Sequence, residues 1–117
     1  MNSNVQMEHR RGVLIVRLTG ELDHHAADEV RMALDEAILR RQVEHLVLSL
    51  ADLQFMDSSG LGVILGRYKL IRAKGGKMAV CGVTPPVHRL FEMSGLFKIM
   101  PVYDDEGAAL SDLEVAL

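Results

Sequence analysis

Apolar and polar residues follow one another along this chain in short runs whose period switches between two and about four, the pattern of strands alternating with helices. Val5–His9 alternates weakly, Arg10-Arg11-Gly12 reads as a turn, and Val13–Thr19 reads as a second strand that Gly20 ends. Asp23 is placed to cap a helix over about His24–Arg40, because Ala27, Val30, Leu34 and Ile38 share one face at helical spacing. His45–Leu50 reads as a mostly buried strand, with the polar Ala51–Asp57 as its connection. A second helix is expected from about Ser58 to Lys74, where Leu61, Ile64, Leu65, Tyr68 and Ile71 recur every three or four positions and Gly75-Gly76 stops the run. Lys77–Cys81 is a short strand, Pro85-Pro86 opens a third helix, Met100–Tyr103 is a last strand, and Glu106–Val115 is a closing helix.

The order β-β-α-β-α-β-α-β-α with short connections implies an α/β fold. Its sheet is mixed, mostly parallel and of about five strands, with the first strand antiparallel and about four helices packed on it. At 117 residues the chain supports one core, so a single domain over 1–117 is expected. With 49% apolar and 25% charged residues it is an ordinary globular sequence, which excludes disorder, a collagen repeat or a disulfide scaffold.

Charge and chemistry narrow the function. Thirteen Lys+Arg against sixteen Asp+Glu leave a net −3, and two Tyr, three Phe and no Trp leave little to stack on bases, so nucleic acid is not an expected partner. The single Cys81 forms no internal disulfide and reads as a small core residue, which fits a reducing cytoplasm. The opening MNSNVQMEH lacks the charged start and apolar run of a signal peptide, and the longest aliphatic run, Val13–Val16, falls far short of the ~20 residues that cross a bilayer. A cytoplasmic protein without direct membrane insertion is therefore expected.

The stretch FMDSSGLGVILGRYK (55–69) sets two hydroxyls at a helix start. Asp57 or Ser58 can serve simply as an N-cap. The same terminus also suits an anion, through its free N–H groups and the helix dipole, so a phosphate on Ser58 or Ser59 would add charge without unfolding the helix. Gly60, Gly62 and Gly66 each cost ~1 kcal/mol relative to Ala inside a helix, so close packing or backbone access must compensate. No catalytic set accompanies the serines: the flanks of Ser58 are not Gly-x-Ser-x-Gly, no spacing ties His9, His24, His25, His45 or His88 to an acidic orienter, and no phosphate-cradling Gly-x-x-x-x-Gly-Lys-[Ser/Thr] loop is present. In a parallel sheet Gly20–His25, Ala51–Ser59 and Gly82–Pro86 leave the carboxyl ends of neighbouring strands and share one rim. Glu21, Asp23, Asp52 and Asp57 would make that rim acidic, either to fit a basic groove on a partner or merely to cap helices and keep loops soluble.

His24-His25 reads as a solvated helix entrance rather than a metal site, since adjacent histidines diverge and no ligand follows at i+3 or i+4. Neither a metal nor a cofactor is expected. Within RLFEMSGLFKIM (89–100), Phe91, Leu96 and Phe97 read as core.

Together GELDHH (20–25), the Asp-Ser-Ser-Gly-Leu-Gly core of 57–62 and RLFEMSGLFKIM resemble the STAS-domain anti-sigma-factor antagonists, in particular those directed against the anti-sigma F factor of sporulation. The resemblance spans essentially the whole chain. It implies a non-enzymatic regulator whose phosphorylated residue is the first serine after the Asp, here Ser58. It further implies that the kinase is the anti-sigma factor itself, holding ADP or ATP. The unphosphorylated antagonist binds that kinase and frees the sigma factor, and a PP2C-type serine phosphatase restores the active form. The partner-binding set implied for this chain is Glu21, Asp23, Asp57, Ser58, Ser59, Gly60 and Leu61, on a protein that is monomeric when free. An antagonist of a general-stress anti-sigma kinase, or a STAS module of a larger signalling assembly, is the alternative.

Overall fold

The computed structural model describes residues 3–40 and 42–116. Residues 1, 2, 41 and 117, which the single-domain expectation includes, lie outside the described residues. In chain order the elements are β1 (Ser3–Arg10), β2 (Val13–Leu22), α1 (Ala27–Arg40), β3 (His45–Met56), α2 (Ser58–Ala73), β4 (Met78–Cys81), α3 (Pro85–Ser94), a 3-10 turn (Leu96–Lys98), β5 (Val102–Tyr103) and α4 (Glu106–Ala116).

The sheet has the strand order β1-β2-β3-β4-β5, with β1 antiparallel to β2 and the remaining pairs parallel, as the element order predicts. The β1–β2 connection is a two-residue hairpin turn, Arg11 and Gly12, both at positive φ (52° and 82°), a conformation that matches the twist of the flanking strands.

Alternation along the strands divides the core between the two faces of the sheet. Leu14, Val16, Leu18, Leu46, Leu48 and Leu50 meet Val30, Leu34 and Ile38 of α1, Ile64 and Ile71 of α2, and Phe91 of α3. On the opposite face Val13, Ile15, Val47, Ala79 and Cys81 are covered by Ala109, Leu110 and Leu113 of α4. β3 is buried on both sides over its first half, which explains why Leu46, Val47, Leu48 and Leu50 are apolar on both faces, with His45 and Ser49 as its buried polar residues. Phe91 and Leu96 are fully buried and Phe97 partly so, as the pattern indicates.

Two charge clusters tie the layers together. Arg17 of β2 forks onto Glu106 of α4 (2.7 and 2.9 Å) and reaches Glu8 of β1 (2.9 Å). Arg67 of α2, only 8% exposed, sits 2.9 Å from Asp35 of α1.

The last strand begins at Val102 rather than Met100, and three boundaries differ from the pattern-based expectation by three residues or more. β2 does not end at Gly20: the glycine takes φ +83° between register shifts, and the strand resumes through Leu22 as a bulge. Ala51–Met56 is strand rather than connection, because β2 continues to pair with it after β4 has stopped at Cys81. The first helix starts at Ala27, three residues later than the capping pattern suggests. Asp23 Oδ1 accepts from the His25 and Ala26 N–H groups (3.0 and 3.1 Å) and folds 23–26 into a turn ahead of it.

Candidate functional site

Asp57 joins the two strands that outrun the rest of the sheet. Its N–H meets the Leu22 carbonyl at 3.4 Å, so the chain leaving β3 is held against the end of β2. Its side chain then does two things. Oδ1 accepts from the Ser59 N–H (2.9 Å), capping α2, and Oδ2 accepts from the His24 N–H (3.2 Å), fastening the turn after β2 to the same point. The Asp57 carbonyl takes the Gly60 and Leu61 N–H groups at 3.0 and 3.3 Å. The free donors expected at the start of α2 are therefore already in use by Asp57, apart from the N–H of Ser58 itself.

This decides which residue is the cap and which is presented. Asp57 is the N-cap, and Ser58 is the first helical residue, with an exposed side chain. Ser59 is half-buried. A phosphate on Ser58 would displace no cap and no core contact. It would find little of the helix N-terminus left to neutralise it, and would stand in solvent beside the Asp57 carboxylate.

The three glycines of the helix separate into two kinds. A Cβ on Gly60 would lie 2.7 Å from the Leu22 carbonyl oxygen and 2.5 Å from Met56 Cγ, so close packing requires glycine there. Gly62 and Gly66 face open space, with nothing within 4 Å of a built Cβ, so packing does not explain them. Of the seven implied contact residues, Gly60 and Leu61 (8% exposed) point into the fold. They set the seat of α2 rather than its outer surface. Glu21 lies in β2 opposite Phe55, and Asp23 lies in the turn that Asp57 holds.

The Gly82–Pro86 segment starts well short of the level of Ser58. A Cβ on Gly82 would lie 2.8 Å from Ala51 Cβ, which places that segment where β4 stops, while β3 runs on for five more residues, roughly 15 Å. Two of the three segments expected at the rim, Gly20–His25 and Ala51–Ser59, are joined directly at Asp57. Asp52, opposite Thr19, is exposed along the strand below them.

The His24 and His25 rings are exposed and 4.0 Å apart, and no group of three or more potential metal-binding side chains occurs among the described residues. Cys81 is fully buried, and burial pushes its thiol pKa up, in keeping with a core residue rather than a nucleophile. No helix among the described residues is long and apolar enough to cross a membrane. The sequence pattern gave no sign of Phe55, a 47% exposed aromatic within what read as a polar connection, nor of the buried Arg67. Arg67 could have been noticed as a cation falling on the apolar face of its helix, three residues after Ile64 and four before Ile71.

Comparison with known proteins agrees with this geometry. The STAS domain family model matches residues 4–109. The chain is 75% identical over 115 residues to an anti-sigma F factor antagonist of Paenibacillus polymyxa, covering 98% of each chain. Among solved structures it is similar to the unphosphorylated form of the anti-sigma factor antagonist SpoIIAA, with TM-score 0.83, 34% identity and coverage of 95% of this chain and 96% of that one. It is also similar to the phosphorylated form of the Bacillus cell fate determinant SpoIIAA, with TM-score 0.74, 34% identity and coverage of 93% and 98%. The five-stranded mixed sheet and the four helices are those of a STAS domain, and the chain belongs to that family, in its group of anti-sigma F factor antagonists.

Proposed function

We propose that this chain acts in the cytoplasm as a single, monomeric regulatory domain that docks on an anti-sigma factor serine kinase, with ADP or ATP bound, and so frees sporulation sigma factor F. Phosphorylation of Ser58 by that kinase ends the interaction, and a PP2C-type phosphatase restores it. The chain itself contributes no catalysis. One observation supports this reading above the others: Asp57 carries the whole capping duty, leaving the Ser58 hydroxyl exposed at the head of α2 and available for modification without structural cost.

The switch is electrostatic. A phosphoserine adds about −1.5 to −2 of charge at pH 7. At Ser58 that charge arrives beside a carboxylate and with most of the local N–H groups already taken. Facing the nucleotide phosphates that the partner holds, such juxtaposition costs several kcal/mol, on the order of a hundredfold or more in affinity. Glu21 and Asp23 extend the acidic surface on which a basic groove would seat, and Ser59 lies beside it.

The test is a titration of the unmodified chain, Ser58→Ala and Ser58→Asp against the cognate anti-sigma factor with ADP or ATP. Ser58→Ala should bind but take up no phosphate, and Ser58→Asp should bind weakly, all three having the same stability. Phosphate appearing on Ser59 while Ser58 stays unmodified would overturn the assignment.

A further inference from the structure

Among the described residues, the large apolar side chains left exposed are Met32, Leu39, Phe55, Met93 and Ile99, and Phe55 is the one carried by the two strands that build the Ser58 site. Its position follows from register. Leu22 and Met56 are partners across β2 and β3, and both are buried in the core on the α1–α3 side. The preceding pair, Glu21 and Phe55, therefore points to the opposite face. Helix α4 covers that face over Val13, Ile15, Val47, Ala79 and Cys81, and its first residue, Glu106, reaches Arg17. Phe55 lies further along the strand, with 47% of its surface in solvent.

An aromatic ring on a strand end can be satisfied internally only if something packs on it, and here only about half of it is covered. Its backbone is three residues from Ser58, at most ~11 Å away, well inside the footprint of a standard protein interface. The two segments that carry it also carry Asp52 and Asp57, three residues before it and two after, and Asp23, two residues after its partner Glu21. An apolar centre inside a charged rim is the arrangement in which truncating an aromatic costs most.

We propose that Phe55 is the apolar anchor of the Ser58 docking surface, its ring entering a recess on the anti-sigma partner that is bordered by cationic side chains. This rests on the docking reading above. It adds that surface's energetic centre and the chemistry of the pocket that receives it. Asp23, Asp52 and Asp57 orient the encounter, while Phe55 determines how long the complex lasts.

The test uses the full chain carrying Phe55→Thr, which removes the ring and keeps a strand-favouring β-branched residue, with Leu39→Thr as control. Leu39 is 70% exposed near the far end of α1, away from Ser58. Binding to the cognate anti-sigma factor with ADP is measured together with the thermal midpoint and the sedimentation coefficient. We expect Phe55→Thr to weaken binding by about thirtyfold or more, mainly through faster dissociation, with its midpoint close to that of the unmodified chain. Leu39→Thr should bind as the unmodified chain does. Equal affinity for Phe55→Thr and the unmodified chain, with Ser58→Asp still defective, would sink the anchor and leave the docking reading standing. A dimeric free protein that Phe55→Thr turns into a monomer would overturn it as well, by assigning the ring to a second copy. Failure of the unmodified chain to bind any anti-sigma factor would remove both.

Discussion

Adding one methyl group to Gly60 tests how α2 is seated. A Cβ there would lie 2.7 Å from the Leu22 carbonyl oxygen, 3.0 Å from Leu22 Cγ and 2.5 Å from Met56 Cγ. The Met56 side chain is flexible and can turn away, but the carbonyl belongs to the strand that Asp57 N–H already holds. Gly60→Ala must then lift the first turn of α2 off β2. Overpacking of this kind costs ~1–3 kcal/mol, and a backbone obstacle puts it near the top of that range. The gain from replacing a helical glycine by alanine is ~1 kcal/mol, so a net loss of about 2 kcal/mol is expected. Gly62→Ala meets nothing within 4 Å and keeps the whole propensity gain, a stabilisation of about 1 kcal/mol. The two variants, two residues apart on one helix, should differ by ~3 kcal/mol with opposite signs. Urea unfolding followed by circular dichroism reads the difference: at an m-value of ~2 kcal/mol/M the midpoints separate by about 1.5 M. Gly60→Ala as stable as Gly62→Ala would refute the close approach of α2 to the Leu22 carbonyl, and with it the account of why Ser58 is held where it is.

Two further outcomes follow from the charge clusters and the tyrosines. Arg67→Met removes one partner of the Asp35 pair and leaves a carboxylate that is still 29% exposed, so a destabilisation at the lower end of the ~3–5 kcal/mol range is expected, with Asp35→Leu in addition restoring most of it; chemical unfolding of the single and double variants checks this. Burial, assisted by the hydrogen bond to Asp112, pushes the Tyr103 phenol up to about 12. The neutral phenol is thus favoured by folding: its contribution is complete below pH 10 and fades as pH rises through about 12. In a Tyr68→Phe background the remaining phenolate absorbance should appear near pH 12, and Asp112→Asn should shift it downward.

The topology was legible in the sequence because the patterns that specify it are long and redundant. Val30, Leu34 and Ile38 repeat on successive turns, and His45–Leu50 has apolar residues on both faces, as a doubly covered strand needs. The ends of β2 and β3 were not legible for a physical reason. Beyond Ser49 the strand β3 loses its neighbour β4, so residues 51–56 are polar on one face, as a loop would be, although β2 still pairs with them. Gly20 likewise signals a stop, and only the register shows that it is a bulge. Within the site, the motif marked Ser58, but the choice between Asp57 and Ser58 as cap depends on which oxygen faces the Ser59 N–H, and spacing does not contain that information. Gly60 and Leu61 stand in the partner-binding set that the resemblance implies, but the helical spacing that puts Leu61 on the apolar face already turned them inward, and both are buried.

The unequal strand lengths divide the molecule mechanically. Where four or five strands lie side by side between helices, an amide can exchange with solvent only when much of the protein opens; at the projecting tip, two strands share a single ladder and opening is local and frequent. A mutation in the base then alters how much folded protein exists, whereas one at a solvent-facing position of the tip, such as Ser58, leaves that amount unchanged and bears on the proposed docking. The exposed positions of the proposed docking surface can drift toward a new partner without renegotiating the stability of the body that carries them.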